Sequence, residues 1–143
     1  MKLARLFSFL FLIAFIPITV HSQEEGRLLR FPDVRGNQVV FMYGGDLWTV
    51  STSGGIARKL TSHRGLEILP KFSPDGKWIA FTGRYDATDN LYIIPSEGGV
   101  PKQLTYLQPP QHLSERSGFE NMMLDWYPDS KRVLFMSRRY SFL

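Results

Sequence analysis

The sequence predicts an all-β fold, a partial β-propeller made of two four-stranded antiparallel blades and part of a third, on three observations. A turn-forming stretch, Phe72-Ser73-Pro74-Asp75-Gly76-Lys77, runs directly into the apolar segment Trp78-Ile79-Ala80-Phe81. The order of strands and turns around it returns at intervals of about 40 to 45 residues. No segment carries the 3.6-residue periodicity that helical repeats of this length would show.

The central copy sets the pattern. Pro74 presets φ near −65° at the first central position of the turn, Asp75 tolerates the second, and Gly76 occupies the place where φ is positive. After the strand at Trp78 comes a longer loop, Arg84-Tyr85-Asp86-Ala87-Thr88, and a second strand, Asp89-Asn90-Leu91-Tyr92-Ile93-Ile94-Pro95. Ser96-Glu97-Gly98-Gly99 turns the chain, and Val100-Pro101-Lys102-Gln103-Leu104-Thr105 supplies a further short strand.

The same order precedes it as Gly36-Asn37-Gln38-Val39-Val40-Phe41, Asp46-Leu47-Trp48-Thr49-Val50, Gly54-Gly55 and Arg58-Lys59-Leu60-Thr61. Leu47 and Leu91, Trp48 and Tyr92, Gly54 and Gly98, and Leu60 and Leu104 each stand 44 positions apart. Gly36 and Gly76 are 40 apart, so the four-residue difference falls in the loop at Arg84 to Thr88, where repeats absorb length change. A third copy opens at Asp125-Trp126-Tyr127-Pro128-Asp129-Ser130-Lys131, with Pro128 54 positions after Pro74 and Ser130 in place of the turn glycine. Its strand is Arg132-Val133-Leu134-Phe135-Met136, and the polar, Pro-containing stretch from Gln108 to Met123 reads as an extended loop. The repeats therefore cover about 28–61, 66–105 and 123–143. Their runs are continuously apolar rather than alternating, as strands covered on both faces require.

These residues resemble the WD40-like PD40 repeat of TolB-type propellers, through Phe72 to Lys77 with the following Gly98-Gly99 and Leu104-Thr105. The segment Leu28-Leu29-Arg30-Phe31-Pro32-Asp33-Val34-Arg35-Gly36-Asn37-Gln38-Val39-Val40-Phe41, with Gly45-Asp46-Leu47-Trp48, is similar to the opening of the tricorn protease family. The resemblance implies a six-bladed N-terminal propeller within a large secreted serine peptidase. In that family a second propeller, a PDZ domain and a catalytic region follow, and the propellers gate and guide peptide or protein substrates. No residue here matches the family's catalytic Ser, His and Glu, so the expectation is a non-catalytic propeller segment of a longer protein, with no cofactor and no metal. Two alternatives stand beside it: a TolB-like periplasmic propeller that binds proteins without catalysis, and the propeller of a prolyl-oligopeptidase-type enzyme.

Residues 1–22 read as a Sec-type signal peptide, with Lys2 and Arg5, an apolar stretch from Leu6 to Ile16, and Val20-His21-Ser22 before the cleavage point. The mature segment is then 23–143, and the expected location is the periplasm or cell exterior, with no stable membrane anchor after cleavage. Cysteine is absent, which removes both a disulfide framework and a lipoprotein anchor. Setting Lys2 and Arg5 aside leaves a basic excess of two over the 13 acidic side chains, scattered in pairs such as Arg58-Lys59, Lys131-Arg132 and Arg138-Arg139. Nucleic-acid binding calls for a clustered basic face and is not expected.

Ser62, His63, His112, Ser114, Asp86 and Glu115 are near one another in sequence but lack a nucleophile motif, so they read as loop residues. Asp86-Ala87-Thr88-Asp89-Asn90 lacks the central glycine and terminal Glu of a calcium loop. Trp48, Trp78, Tyr92 and Trp126 read as packing between blades. The Gly-Gly pairs form turns, because no P-loop lysine or helix follows them.

Overall fold

The turn at Ser73 to Lys77 forms as its sequence dictates. Gly76 has φ 73° and its N–H donates to the Ser73 carbonyl at 2.8 Å, while the Ser73 N–H donates to the Trp78 carbonyl at 2.8 Å. The Ser73 hydroxyl donates to Asp75 Oδ1 at 2.6 Å, and that oxygen also accepts the Lys77 N–H at 3.1 Å. A turn locked on both sides sets the register of the hairpin that follows.

The computed structural model describes residues 28–106 and 120–137. The leader at 1–22, most of the loop after Gln108, and His112, Ser114 and Glu115 lie outside the described residues. One four-stranded sheet holds β1 (Arg30–Arg35), β2 (Gln38–Tyr43), β3 (Asp46–Ser51) and β4 (Arg58–Lys59) in that order. A second holds β5 (Glu67–Phe72), β6 (Trp78–Arg84), β7 (Asp89–Pro95) and β8 (Lys102–Gln103), and a third pairs β9 (Asn121–Trp126) with β10 (Val133–Ser137). All pairings are antiparallel between chain neighbours, the up-and-down order of a propeller blade.

The 44-residue spacing is reproduced bond for bond. Leu60 N–H donates to the Leu47 carbonyl and Leu104 N–H to the Leu91 carbonyl, both at 2.8 Å. The Thr61 hydroxyl accepts the Leu47 N–H at 2.9 Å, and the Thr105 hydroxyl accepts the Leu91 N–H at 2.9 Å. The outer strands are shorter than the sequence predicts, two residues each, because a threonine hydroxyl takes over where the next backbone partner would stand. Short outer edges also limit pairing with other chains.

The first strand of each blade carries an irregularity. Register shifts fall between Arg30 and Asp33 in β1 and between Ile68 and Lys71 in β5, where Phe31 (φ 52°) and Leu69 (φ 53°) precede Pro32 and Pro70. A proline has no N–H for the ladder, and a bulge accommodates it. In the third sheet the shift falls between Leu134 and Phe135 of β10, opposite Leu124.

Two apolar clusters hold the blades together. Val40, Met42, Leu47 and Leu60 of the first blade meet Ile68, Phe72, Ile79, Phe81, Tyr92 and Ile94 of the second. Ala80 and Leu91 meet Met123, with Ile93, Trp126 and Val133 against them. Burial of side chains such as Leu47 and Phe81 contributes about 1.5–3 kcal/mol each. Directional bonds cross the same seams: Asp33 Oδ2 accepts the Phe72 N–H at 2.8 Å, Trp126 Nε1–H donates to the Lys71 carbonyl at 2.9 Å, and the Met123 N–H donates to the Thr82 hydroxyl at 2.8 Å. The turns stack in series, with Arg35 donating to the Pro74 carbonyl and the Asp75 N–H donating to the Ser130 hydroxyl at 3.0 Å.

Candidate functional site

Glu67 opens β5 at the seam between the first two blades, and its carboxylate is fully buried. It is not stranded there. Thr61 donates its hydroxyl to Oε2, the Leu47 N–H donates to the same oxygen at 3.2 Å, and the Tyr85 hydroxyl donates to Oε1 at 2.5 Å. Burial pushes the carboxyl above its ordinary value, and these hydrogen bonds oppose that rise without cancelling it. Burial and the bond to Glu67 raise the Tyr85 hydroxyl far above the usual phenol value.

Beside this group a cleft of about 450 Å³ opens between the blades. Leu60, Thr61, Ser62 and His63 line it from the first blade's end, Glu67, Tyr85 and Tyr92 from the second, and Val100, Pro101 and Gln103 from the outer strand's approach. A run of rings passes from its mouth into the core. His63 lies 3.9 Å from Tyr85, Tyr85 4.4 Å from Tyr92, and Tyr92 5.7 Å from Phe81, centroid to centroid. Gly83 makes room for this, since a Cβ there would stand 2.9 Å from the Tyr92 ring. His63 Nδ1 accepts the Gly65 N–H at 3.0 Å, so the neutral ring carries its proton on Nε2.

Of the residues singled out from sequence, Ser62 and His63 meet in this cleft, while Asp86 is not part of its lining. Asp89 is taken up by Arg84, with bonds of 2.8 and 3.0 Å, and Asn90 by the hydroxyls of Thr88 and Thr105. Among the described residues no group of three or more His, Cys, Asp and Glu side chains could hold a metal ion. The four aromatics do not form one platform. Trp48 packs edge-on against Tyr43 with Lys59 over its ring, Trp126 joins the seam of the second and third blades, and Tyr92 joins the ring run. Trp78 stands partly exposed at the start of β6. Sequence reasoning missed Glu67 and Tyr85. A carboxylate set within Leu66 to Leu69, an otherwise apolar run, was the signal for a buried, partnered charge.

A family model described as the tricorn protease N-terminal beta propeller domain matches residues 26–143. The tricorn protease of Thermoplasma acidophilum is 35% identical over 90 residues, 61% of this chain and 8% of that protein. Tricorn protease homolog 1 of Streptomyces coelicolor is 35% identical over 78 residues, 54% of this chain and 7% of that protein. A crystal structure of the tricorn protease superposes with a TM-score of 0.51 at 34% identity, covering 55% of this chain and 8% of that one. The Tol-Pal system protein TolB of Desulfotalea psychrophila, a more distant likeness, is 31% identical over 66% of this chain and 20% of its own length. The chain thus spans less than a tenth of the tricorn relatives named here. Repeat spacing, blade order and the match across the whole described region agree: the chain belongs to the tricorn protease N-terminal β-propeller family.

Proposed function

We propose that this chain is the opening, non-catalytic part of a secreted tricorn-like serine peptidase, and that its propeller receives peptide or protein substrates for a catalytic region encoded elsewhere in the same protein. The observation that carries the reading is the family match over 26–143; the 78 and 90 residues aligned with the tricorn relatives are 7–8% of those proteins' length. Export to the periplasm or cell exterior is supported by the charged and apolar pattern of residues 1–22.

Placing a photo-crosslinking benzoylphenylalanine at Val34, exposed on the first strand, and offering biotinylated casein-derived peptides tests it. Peptide captured but not cleaved is the expected outcome. Cleavage that disappears in Ser62→Ala or His63→Ala would overturn the non-catalytic reading, and no capture would overturn the receiving one. The TolB likeness supports a second reading, a protein-binding propeller without peptidase partner. Coding DNA beyond codon 143 separates the two, since a PDZ domain and a tricorn-type catalytic region belong only to the first.

A further inference from the structure

The cleft between the first two blades is rich in hydrogen-bond acceptors at its base. Glu67 can only accept when ionised, and it consumes the hydroxyl protons of Thr61 and Tyr85. Gln103 directs one amide N–H to the Thr105 carbonyl at 2.8 Å, which leaves the other N–H and Oε1. The phenol oxygen of Tyr85 therefore has only lone pairs left to offer. Tyr92 is also part of the lining, and its hydroxyl oxygen adds a further acceptor there.

The charges that act on these rings are negative: Glu67 and Asp46 on Tyr85, Asp86 on Tyr92. Lys59 of the first blade is already paired with Asp46 at 2.7 Å. Two donors, His63 Nε2 and the Ser62 hydroxyl, stand at the exposed mouth. Leu60, Val100 and Pro101 supply an apolar wall. A long aliphatic stem ending in a cation matches this order from mouth to base.

We propose that this cleft is a side-chain pocket for a lysine or arginine of an extended peptide, its backbone held at the mouth by Ser62 and His63 and its cationic end hydrogen-bonded by Tyr92 and Tyr85. The inference rests on the peptide-receiving reading above and adds a specificity to it. It places a contact on the seam between two blades, apart from the exposed first strand.

The test uses the full chain with benzoylphenylalanine at Val100, which is 88% exposed beside the cleft, and three biotinylated alanine-rich hexapeptides carrying one lysine, one arginine or one norleucine. Capture of the lysine and arginine peptides should exceed that of norleucine about tenfold, as a charge-assisted hydrogen bond implies. Tyr92→Phe keeps the ring stack and deletes only the hydroxyl. It should lower lysine capture several-fold while leaving the circular dichroism spectrum and norleucine capture unchanged. Equal capture of lysine and norleucine, or unchanged lysine capture in Tyr92→Phe, overturns the proposal. Capture at Val34 but not at Val100 overturns it while sparing the peptide-receiving function, whereas capture at neither position removes both.

Discussion

Gly76 and Ser130 hold the same left-handed backbone, φ 73° and 56°, and each closes its turn with an N–H to the carbonyl three residues earlier. One is the residue this conformation favours. The other is a residue that pays strain for it.

Gly76→Val should therefore destabilise the chain by more than ~1 kcal/mol in urea melts, through backbone strain, because a Cβ there meets nothing closer than Arg35 at 3.7 Å. Ser130→Gly relieves strain but loses the bond from the Asp75 N–H at 3.0 Å, and the two effects should offset to within about 0.5 kcal/mol. Equal losses for valine at 76 and at 130 would show that strain is not what distinguishes them.

Asp33 ties the first strands of two blades together, accepting the Phe72 N–H at 2.8 Å and the Lys71 ammonium at 3.2 Å. Asp33→Ala leaves the Phe72 donor without its partner and should cost about 1–3 kcal/mol. Asp33→Asn keeps an acceptor and gives up only a partly exposed ion pair, so its cost should stay below about 1 kcal/mol. Equal costs, measured by denaturant melts of both variants, would assign the effect to the charge rather than to the backbone bond.

The second and third strands of each blade were legible because nothing in them conflicts: apolar runs stand between Gly turns, and 44-residue pairs such as Leu47 and Leu91 fix their phase. The first strands were not. Phe31-Pro32 and Leu69-Pro70 interrupt them with a residue that cannot pair, and only the bulge made by the preceding left-handed residue lets the strand continue. The cleft was illegible for a different reason. Thr61 and Glu67 sit at the two ends of one connection and Tyr85 in another, and only the packing of one blade on the next brings Thr61 and Tyr85 onto one carboxylate. Sequence spacing carries periodicity, not convergence across a seam.

Leu124, Leu134, Phe135 and Met136 of the third sheet are exposed, as are Leu28, Leu29 and Phe31 near the first strand. Apolar faces and open sheet edges of this kind associate. The 143-residue chain expressed alone should scatter light as oligomers at micromolar concentration, and charged substitutions at Leu134 and Met136 should reduce that scattering. A monodisperse monomer would mean that these faces are closed by the chain itself.

Glu67 gives the fold a pH dependence whose sign follows from its burial. Its folded-state pKa is raised from the ordinary 4.5, with burial the largest cause, so well below 4.5 the carboxyl is protonated in both states and costs nothing. As pH rises above 4.5 the unfolded chain releases its proton while the folded chain retains it, and stability falls by up to about 1.4 kcal/mol per pH unit until the folded value is passed. Asp75 and Asp129 act in the opposite sense. Hydrogen bonds from Ser73 and from the Lys131 N–H hold them below the ordinary 3.8, so the stability they add is lost as pH falls through that range. Urea melts of wild type and Glu67→Gln from pH 4.5 upward isolate the buried group, because both exposed aspartates are ionised there. The glutamine variant cannot titrate, so the difference in stability between the two proteins should shift in its favour with rising pH. Parallel curves would show that the carboxyl ionises in the folded seam as readily as in water, and that the three hydrogen bonds it accepts fully compensate its burial.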